Sequence, residues 1–525
     1  MFGTCCGSEP TVTTCGRPTH LSLRFLRPSR RVSAVGETTR GLDTSPAVRN
    51  DCIASKHTQM VCVRRVAVLA TLAALCSAKP RCRLRRRGQL ILNPPAPTSP
   101  ASNSTTTTSV PPTATNVPDS GGDEDTALPP FNYSSNVIRG VNLGGWFVLE
   151  PWITPSMFSN TGIDAIIDEY TFGKLQDGDV ALGQLTTHWE SWYTEDEFKL
   201  IADAGINHVR IPLGYWSVPL DGRDVSPYIA GAYPYFKQAL KWARKYKLYV
   251  ILDLHGAPGS QNGYDNSGQK RNDPQWANDP NNLQWTVDVI SFLANDVGDS
   301  IAVVQLLNEV AAYTSQQFLV ATKQYWQDGY HAVRGAKAAS NVQVMIGDGF
   351  QGVNAWQGFM QPPAFTGVSM DYHQYQVFSI PDLQRSWDDH IAHACSLGPN
   401  LAAFSKGTMP TVMGEWSLAI TDCTKWLNGR GVGVRWDGTY YPNSETVTLG
   451  SCDELSMDYT KFSDDYKAFL RKYWEAQAHI GEEAAGWIFW AWKAEFSAEW
   501  SYRVGVEQGW IPQDPTDRLY PNICG

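Results

Sequence analysis

Eight short apolar segments, separated by polar or helix-like stretches, limit the possible folds of this chain more than any other feature. They are Ile138–Trp146, His208–Gly214, Tyr249–Gly256, Ile301–Glu309, Val342–Phe350, Val368–Tyr375, Thr411–Ser417 and Gly486–Trp492. Near-continuous apolar runs rich in β-branched residues are typical of parallel strands that are buried on both faces. Helix-like stretches lie between them, at about 194–205, 233–247, 283–297, 316–338, 381–396 and 459–480. The alternation predicts an α/β fold.

Eight strands that alternate with helices predict a (β/α)8 TIM barrel with long loops at the C-terminal face of the strands. The rival fold is a doubly wound sheet, which would carry a Gly-rich phosphate-binding turn after its first strand. The Gly-Val-Asn-Leu-Gly-Gly sequence at 140–145 does not have the required spacing. The barrel is therefore the favoured fold.

Polar residues stand at the end of almost every apolar segment. They are Arg210, Asp253, His255, Asn308, Glu309, Asp348, His373, Tyr375, Glu415, Trp490 and Trp492. In a barrel the C-terminal ends of the strands converge on one face, where active sites form. One buried acid is often a satisfied core group, but a ring of them is costly to bury for stability alone. The pattern predicts a functional site at this face.

Two of these residues are carboxylic acids on strands that face each other across a barrel. Glu309 ends the fourth segment and Glu415 ends the seventh. Glycoside hydrolysis needs such a pair, because one acid protonates the leaving oxygen while the other attacks the sugar or activates water. A separation near ~5 Å gives retention of configuration and a wider one gives inversion. The sequence predicts glycoside hydrolysis and leaves the stereochemistry open.

The composition of residues 131–525 fits a neutral carbohydrate ligand. This region has 27 basic and 44 acidic residues, a net charge of −17, and contains all 20 tryptophans. A negative field disfavours nucleic acid, and indole faces stack on sugar rings. Cys-x-x-Cys motifs and His clusters are lacking among its cysteines, so we expect no metal site. Carboxyl chemistry also needs no cofactor.

A secretory signal peptide is predicted at residues 60–78. Two arginines at 64–65 precede an apolar run at 66–75 and small residues at 76–78, the order typical of such signals. The run is too short to span a bilayer. We therefore expect a protein secreted to the extracellular space or cell wall.

Because a signal peptide belongs at a chain start, we expect Met60 to be the true start and residues 1–59 to be a gene-model extension. The alternative is a signal-anchor that keeps 1–59 as a cytoplasmic tail, held by the basic run at 81–87. Only this alternative would attach the protein to a membrane.

Residues 79–130 start basic and continue as a Pro-, Ser- and Thr-rich stretch. This composition is typical of an extended, O-glycosylated linker. Asn103 opens one N-glycosylation sequon and Asn132 opens another. The remaining residues, 131–525, are assigned to one catalytic domain, which we expect to be a monomer.

Eight motifs, in order over nearly the whole of this domain, resemble one known family. They are Ile-Arg-Gly-Val-Asn-Leu-Gly-Gly-Trp at 138–146, His-Val-Arg-Ile-Pro at 208–212, Asp-Leu-His-Gly at 253–256, Gly-Ser-Gln-Asn-Gly at 259–263, Asn308-Glu309, His-Gln-Tyr at 373–375, Gly-Glu-Trp at 414–416 and Gly-Trp-Ile-Phe-Trp at 486–490. From about Asn136 onward the chain resembles glycoside hydrolase family 5, and more narrowly the fungal exo-β-1,3-glucanases.

The resemblance implies a retaining mechanism with Glu309 as acid/base and Glu415 as nucleophile. Around this pair it implies that Arg210 keeps Glu415 ionised, Tyr375 orients it, Asn308 binds the 2-hydroxyl group of the reacting sugar, His255 and His373 bind other hydroxyls, and Trp490 forms the floor. It also implies that Glu150 and Asp265 grip the non-reducing end, and that Tyr264 and Phe378 clamp the next sugar. Trp152 departs from the family, where Tyr is common, and Tyr264 stands where Phe is common.

Some of these residues also fit structural roles. Arg210 could be the ion-pair partner of a core acid, and His255 could be a satisfied core histidine. Tyr264 and Phe378 fit ordinary loop anchors.

Four cysteines follow the linker, at positions 395, 423, 452 and 524. An even number in a secreted domain predicts two disulfides, with free thiols as the alternative. We expect Cys423–Cys452 to close a Gly-rich polar loop and Cys395–Cys524 to hold the C-terminal tail. The family resemblance implies the same pairing.

The leading functional interpretation is release of glucose from the non-reducing ends of β-1,3-glucan. The same machinery would also serve a β-1,6-glucanase, an endo-β-glucanase or a transglycosylase. An alternative of another class is a wall protein that binds carbohydrate without catalysis, which intact Glu309 and Glu415 disfavour.

Overall fold

The computed structural model describes residues 128–133, 135–441, 447–453 and 458–525. Its strands form one closed parallel barrel in chain order, with the last strand paired to the first. They are β1 Ile138–Asn142, β2 His208–Gly214, β3 Tyr249–Gly256, β4 Val303–Gln305, β5 Gln343–Gly347, β6 Val368–Gln374, β7 Thr411–Trp416 and β8 Gly486–Phe489. The predicted (β/α)8 TIM barrel is confirmed.

Helices connect the strands around the outside of the barrel. In the described part of the chain they are α1 Pro155–Ser159, α2 Glu169–Lys174, α3 Gly178–Ser191, α4 Glu195–Asp203, α5 Tyr233–Lys245, α6 Pro280–Val297, α7 Gln316–Gly335, α8 Ile380–Leu383, α9 Trp387–Gly407, α10 Asp464–Glu483 and α11 Tyr502–Gln508. The helix predicted at 381–396 was wrong in extent. A new helix, α9, begins after Ser386, whose side chain accepts a hydrogen bond from the backbone N–H of Asp389.

Helix α5 shows how sequence pattern becomes packing. Its buried positions include Phe236, Ala239, Leu240 and Ala243, which follow the three- and four-residue spacing of one helix face. Pro234 lies in the first turn, where a proline has no hydrogen bond to lose. The apolar face of the helix therefore packs toward the barrel while its charged face meets solvent.

Several strands are shorter than their apolar segments, and the lost residues are at the C-terminal ends. The fourth segment was predicted to reach Glu309, but β4 ends at Gln305. Glu309 has a φ of 44°, a left-handed conformation that is uncommon for any residue except glycine. The backbone thus leaves the strand ladder just before the predicted functional residues.

The opposite end of the barrel is closed by an apolar cluster, which we call the base cluster. It consists of the inward side chains Ile138, Ile251, Val303, Met345, Val412 and Ile488, with Phe131 and Tyr133 packed against them. The Phe131 ring meets Tyr249 edge-on at 5.0 Å between centroids. The Tyr249 hydroxyl donates a hydrogen bond to the Pro129 carbonyl at 2.9 Å. The last residues assigned to the linker, 128–130, therefore already lie against the barrel.

Both expected disulfides are present. Cys395 in α9 is bonded to Cys524 near the chain end, and Cys423 is bonded to Cys452 in the loop after β7. Such a bridge contributes roughly 2–4 kcal/mol to stability. One bridge thus ties the chain end to α9, and the other closes the loop after β7.

Residues 1–59, the predicted signal peptide at 60–78, most of the linker at 79–130 and Asn103 lie outside the described residues. Asn132 is described and exposed. None of the described helices is long and apolar enough to cross a bilayer.

Candidate active site

A cavity of about 690 Å³ opens at the C-terminal ends of the strands. Nine of the twelve predicted functional residues line it: Glu150, Tyr264, Asp265, Glu309, His373, Tyr375, Phe378, Glu415 and Trp490. The other three, Arg210, His255 and Asn308, are buried and hydrogen-bond to each other, to Glu415 or to the strands beneath it. The structure therefore brings the whole predicted set together.

Arg210 is the centre of the hydrogen-bond network under the cavity. Its side chain is completely buried in β2, and its guanidinium donates to Glu415 Oε1 and to Asn308 Oδ1, each at 2.8 Å. It also lies 3.1 Å from the Asp253 carboxylate. The rigid guanidinium fork suits several simultaneous acceptors. A buried cation surrounded by acids in this way fixes their positions relative to one another.

Glu415 lies at the end of β7 and is held from both sides. Its second oxygen, Oε2, accepts a hydrogen bond from the Tyr375 hydroxyl at 2.9 Å. Burial raises the pKa of Glu415, and the negative charge of Glu309 adds to this effect. The charges of His373 and Arg210 oppose it, but the net pKa is raised. The predicted Arg210 contact is present, and its effect on the pKa is smaller than that of burial.

Glu309 accepts hydrogen bonds at both oxygens. His373 Nδ1 lies 2.9 Å from Oε1, and the Asn266 amide donates to Oε2 at 2.7 Å. Burial alone would raise the pKa of Glu309, but the hydrogen bond and charge of His373 outweigh it, and the pKa is lowered. A carboxylate oxygen of Glu309 lies within 4.8 Å of one on Glu415. The two acids thus face each other across a gap that fits one sugar carbon and its substituents.

His373 lies between the two acids and rests on a third. Its Nδ1 is 3.3 Å from Glu415 and its Nε2 is 2.9 Å from Asp371. Burial would lower the pKa of His373, but the charges of Glu415 and Asp371 raise it well above its ordinary value. A Cβ at position 414 would lie 1.8 Å from the Asp371 carboxylate. Gly414 is therefore required next to the nucleophile candidate.

The floor of the cavity is aromatic. The Trp490 indole is almost fully buried and stacks on the His255 ring, with centroids 5.5 Å apart and planes 8° apart. His255 Nδ1 is hydrogen-bonded to Asp253 at 2.6 Å. An apolar face bordered by oriented polar groups matches the shape of a pyranose ring.

Two further acids, Glu150 and Asp265, line the cavity close enough for their charges to interact. Glu150 accepts a hydrogen bond from the Trp152 indole N–H at 2.9 Å, so this tryptophan supplies a donor beside the acid. Burial, followed by the charge of Asp265, raises the pKa of Glu150 well above its ordinary value. Burial also raises the pKa of Asp265 to about 6. Both acids are desolvated and can accept hydrogen bonds from sugar hydroxyls.

Aromatic side chains form the rim. Tyr264 is 43% exposed and Phe378 is 45% exposed. The Tyr264 hydroxyl is 2.9 Å from that of Tyr313, and the Phe378 ring meets Tyr375 edge-on at 5.6 Å. Exposed aromatic faces beside the cavity can pack against a second sugar.

Several site residues were missed by sequence reasoning. Asp371 could have been found from the sequence, because it repeats the Asp-x-His pattern of Asp253 and His255. In a strand, residues two apart lie on one face. Each of the two aspartates is hydrogen-bonded to the histidine two residues later. Asn266, Asn428, Arg435 and Tyr440 had no comparable signal, since they come from irregular loops.

In the described part of the chain, one group of side chains could hold a metal ion by geometry, namely Glu309, His373 and Glu415. His373 Nδ1 lies 2.9 Å from Glu309 and 3.3 Å from Glu415. The same short distances allow a proton to move between these three groups.

Comparisons with known proteins agree with this geometry. The model of the family described as cellulase (glycosyl hydrolase family 5) matches residues 174–429. Glucan 1,3-beta-glucosidase 2 of Wickerhamomyces anomalus is 43% identical over 404 residues, which cover 75% of this chain and 92% of the relative. Glucan 1,3-beta-glucosidase of Candida oleophila is 40% identical over 408 residues, covering 75% and 93%.

Among solved structures, rutinosidase from Aspergillus niger superposes with a TM-score of 0.56 at 18% identity, covering 73% of this chain and 99% of that one. This likeness concerns the fold. Because the sequence relatives match over nine tenths of their own length, the chain belongs to glycoside hydrolase family 5 and is a glycosidase.

Proposed function

We propose that this enzyme removes glucose from the non-reducing ends of β-1,3-glucan with retention of configuration, using Glu415 as nucleophile and Glu309 as acid/base. The observation that carries the proposal is the separation of the two acids, whose nearest oxygens lie within 4.8 Å. Carboxyl groups about 5 Å apart permit direct attack, whereas inverting enzymes leave roughly 6.5–9.5 Å for a water molecule.

The reaction has two steps on this geometry. In the first, a Glu415 oxygen bonds to the anomeric carbon while Glu309 gives its proton to the glycosidic oxygen, which departs with the rest of the chain. In the second, Glu309 takes a proton from water, which bonds to the same carbon and releases Glu415. We propose that Asn308, whose Oδ1 accepts a hydrogen bond from Arg210 at 2.8 Å, binds the 2-hydroxyl group in both steps.

The pKa shifts of the free site run against the needs of the first step. The pKa of Glu309 is lowered and that of Glu415 is raised, although Glu309 must be protonated when the bond breaks. His373 Nδ1 lies within hydrogen-bonding reach of both carboxylates, so a proton can move between the three groups. We propose that substrate entry, which desolvates Glu309 further, moves the proton from His373 to Glu309.

Two buried acids in the cavity wall support action on chain ends. Glu150 and Asp265 are desolvated, and such acids suit the hydroxyls of a terminal sugar better than a continuing chain. The two relatives described above are both glucan 1,3-beta-glucosidases. Together these observations favour an exo mode on β-1,3 linkages.

The test is product analysis on β-1,3- and β-1,6-linked glucose oligomers, with NMR to follow the anomer that appears first. We expect β-glucose as the first product, preferentially from β-1,3 oligomers. A ladder of sizes would instead indicate an endo-β-glucanase, preference for the other linkage a β-1,6-glucanase, and longer products at high substrate a transglycosylase. Absence of turnover on an aryl β-glucoside would indicate a protein that binds carbohydrate without catalysis.

We further propose that the mature enzyme is a secreted monomer that begins after the signal peptide at 60–78. Two disulfides support an oxidising compartment, and the exposed Asn132 is accessible for glycosylation. Peptide mapping of the secreted protein should find nothing before Met60. Intact residues 1–59 on a membrane-bound form would instead support the signal-anchor.

A further inference from the structure

The loop after β7 contributes a wall of the cavity that the catalytic residues do not explain. We call residues 422–453, closed by the Cys423–Cys452 disulfide, the disulfide loop; residues 442–446 of it are not described. Its side chains Leu427, Asn428, Arg435 and Tyr440 line the cavity. This loop has no helix or strand among its described residues, so something other than regular hydrogen bonding must hold the wall in place.

One buried acid provides that support. Asp422 is completely buried, and its Oδ2 accepts hydrogen bonds from the Asn428 amide at 2.9 Å, the Arg435 backbone N–H at 2.9 Å and the Arg435 guanidinium at 3.2 Å. Its Oδ1 accepts from the Trp436 backbone N–H at 3.0 Å. A single carboxylate thus gathers two separate turns of the loop through charge-assisted hydrogen bonds, which are the stronger kind.

The side chains that line the cavity on this loop also contact each other. The Arg435 guanidinium donates to Asn428 Oδ1 at 2.6 Å and lies 3.9 Å from the centroid of the Tyr440 ring. A cation over an aromatic face is attracted to it. Asn428, Arg435 and Tyr440 therefore form one connected surface whose position depends on Asp422.

This surface lies near the two acids Asp265 and Glu150 in the cavity wall. Lys270 donates to the Asn428 carbonyl at 3.5 Å, and the charge of the same lysine acts on Asp265. Leu427 and Trp436 pack in the apolar cluster of Trp152, whose indole donates to Glu150. The disulfide loop is thus joined to both acids that would bind the terminal sugar.

We infer that Asp422 is a specificity-determining positioning residue, which holds the Asn428–Arg435–Tyr440 surface as the wall that stops a glucan chain from extending past the terminal sugar. The inference rests on the proposed exo activity and deepens it. Asp422 does not touch the reacting atoms. It determines which length of product leaves, because a displaced wall would let a second sugar enter beyond the reacting one.

The test is Asp422→Asn, because an amide keeps the shape but loses the charge and must turn its NH2 group toward at least one of the four donors. The matched control is Asp437→Asn on the same loop, whose carboxylate accepts only local bonds from Thr439 among those described. With a β-1,3-linked glucose pentamer, we expect the disaccharide share of early products to rise about tenfold in Asp422→Asn. For an aryl β-glucoside, whose single glucose also lies against the wall, KM should rise while kcat stays within about twofold, because Asp422 does not touch the reacting atoms.

A second measurement needs no substrate. Thermolysin should cut within residues 427–441 faster in Asp422→Asn than in the wild type or in Asp437→Asn. Arg435→Gln, which removes only the cation, should give the same changes to a smaller degree and serves if Asp422→Asn does not fold. An unchanged cleavage rate, or glucose-only products from a loop that is cut faster, would overturn the inference. A product ladder from the wild type would instead refute the exo proposal, while the cleavage rates would still judge the role of Asp422 in holding the loop.

Discussion

The two ends of the barrel are built from the same eight strands, but one end is packed with apolar side chains and the other holds buried charges. At the base, Phe131 and Tyr133 cover inward aliphatic side chains, and burial of apolar surface stabilises the fold. At the mouth, Arg210 is buried among Asp253, Asp371 and Glu415, and burying charge costs free energy that pairing only partly returns. The difference indicates that the base contributes most to the free energy of unfolding. The mouth instead lowers it, because charged groups there are held in a fixed arrangement.

The largest effect should come from Glu415→Gln. Removing the nucleophile should lower kcat by roughly 10⁴-fold or more, while the midpoint of thermal unfolding should stay the same or rise, because an acid buried next to Glu309 becomes neutral. Steady-state kinetics and calorimetry on the same preparation would check this. A variant that loses stability together with activity would break the contrast between mouth and base.

Glu309→Ala should follow, with a loss of roughly 10²–10⁴-fold on substrates with poor leaving groups, which need the proton most. Substrates with good leaving groups should lose less in the first step. Azide should restore part of the rate, because it attacks the glycosyl-enzyme without help from a base. No azide effect and equal losses on all substrates would argue against the acid/base role.

At the base, Phe131→Ala should act in the opposite way. Loss of a partly buried aromatic ring should lower the free energy of unfolding by about 2–3 kcal/mol, with kcat and KM unchanged at a temperature where the variant is folded. Chemical denaturation would measure the first and kinetics the second. A changed kcat would show that the base and mouth are coupled.

A smaller effect is expected on the pH profile. Glu415 must be ionised to attack, and burial raises its pKa, so kcat/KM should fall on the acid side at a pH above the ordinary glutamate value of about 4.3. Tyr375→Phe removes a donor that favours the ionised form. It should move this acid limb to higher pH by about half a unit to one unit. A shift to lower pH would contradict the assignment.

The smallest effect should come from Tyr264→Phe. The ring that would contact the second sugar remains, and only the exposed hydrogen bond to Tyr313 is lost. We expect KM for a β-1,3-linked disaccharide to change by less than about twofold, whereas Tyr264→Ala should raise it clearly. Equal effects of the two substitutions would show that the hydroxyl, not the ring, contacts the sugar.

Sequence reasoning located the barrel and both acids because strand burial and strand-end polarity are local patterns. It placed β2 and β3 at their observed bounds, His208–Gly214 and Tyr249–Gly256. It overran β4, because Leu306 and Leu307 are buried like strand residues but lie where the backbone already turns toward Glu309. An apolar run in the sequence indicates which residues are buried. Buried residues continue beyond the last residue that is hydrogen-bonded to the neighbouring strand.

Features that depend on long-range contacts were not predictable in the same way. The role of Asp422 follows from hydrogen bonds to Asn428 and to residues 435–436 in an irregular loop, for which no periodicity exists. The balance at Glu415 was also missed: the Arg210 contact could be anticipated, but the opposing effect of burial on the pKa required the packed structure.

The two disulfides are nested, since Cys423–Cys452 lies within the span that Cys395–Cys524 closes. A protease that nicks the chain once anywhere between residues 395 and 524 therefore leaves a single covalent molecule, because Cys395–Cys524 still joins the two fragments. Such damage would be invisible on a non-reducing gel, and a nicked enzyme could keep working. Only the addition of a reductant would separate the pieces, so the lifetime of a nicked enzyme would depend on redox conditions as much as on proteolysis.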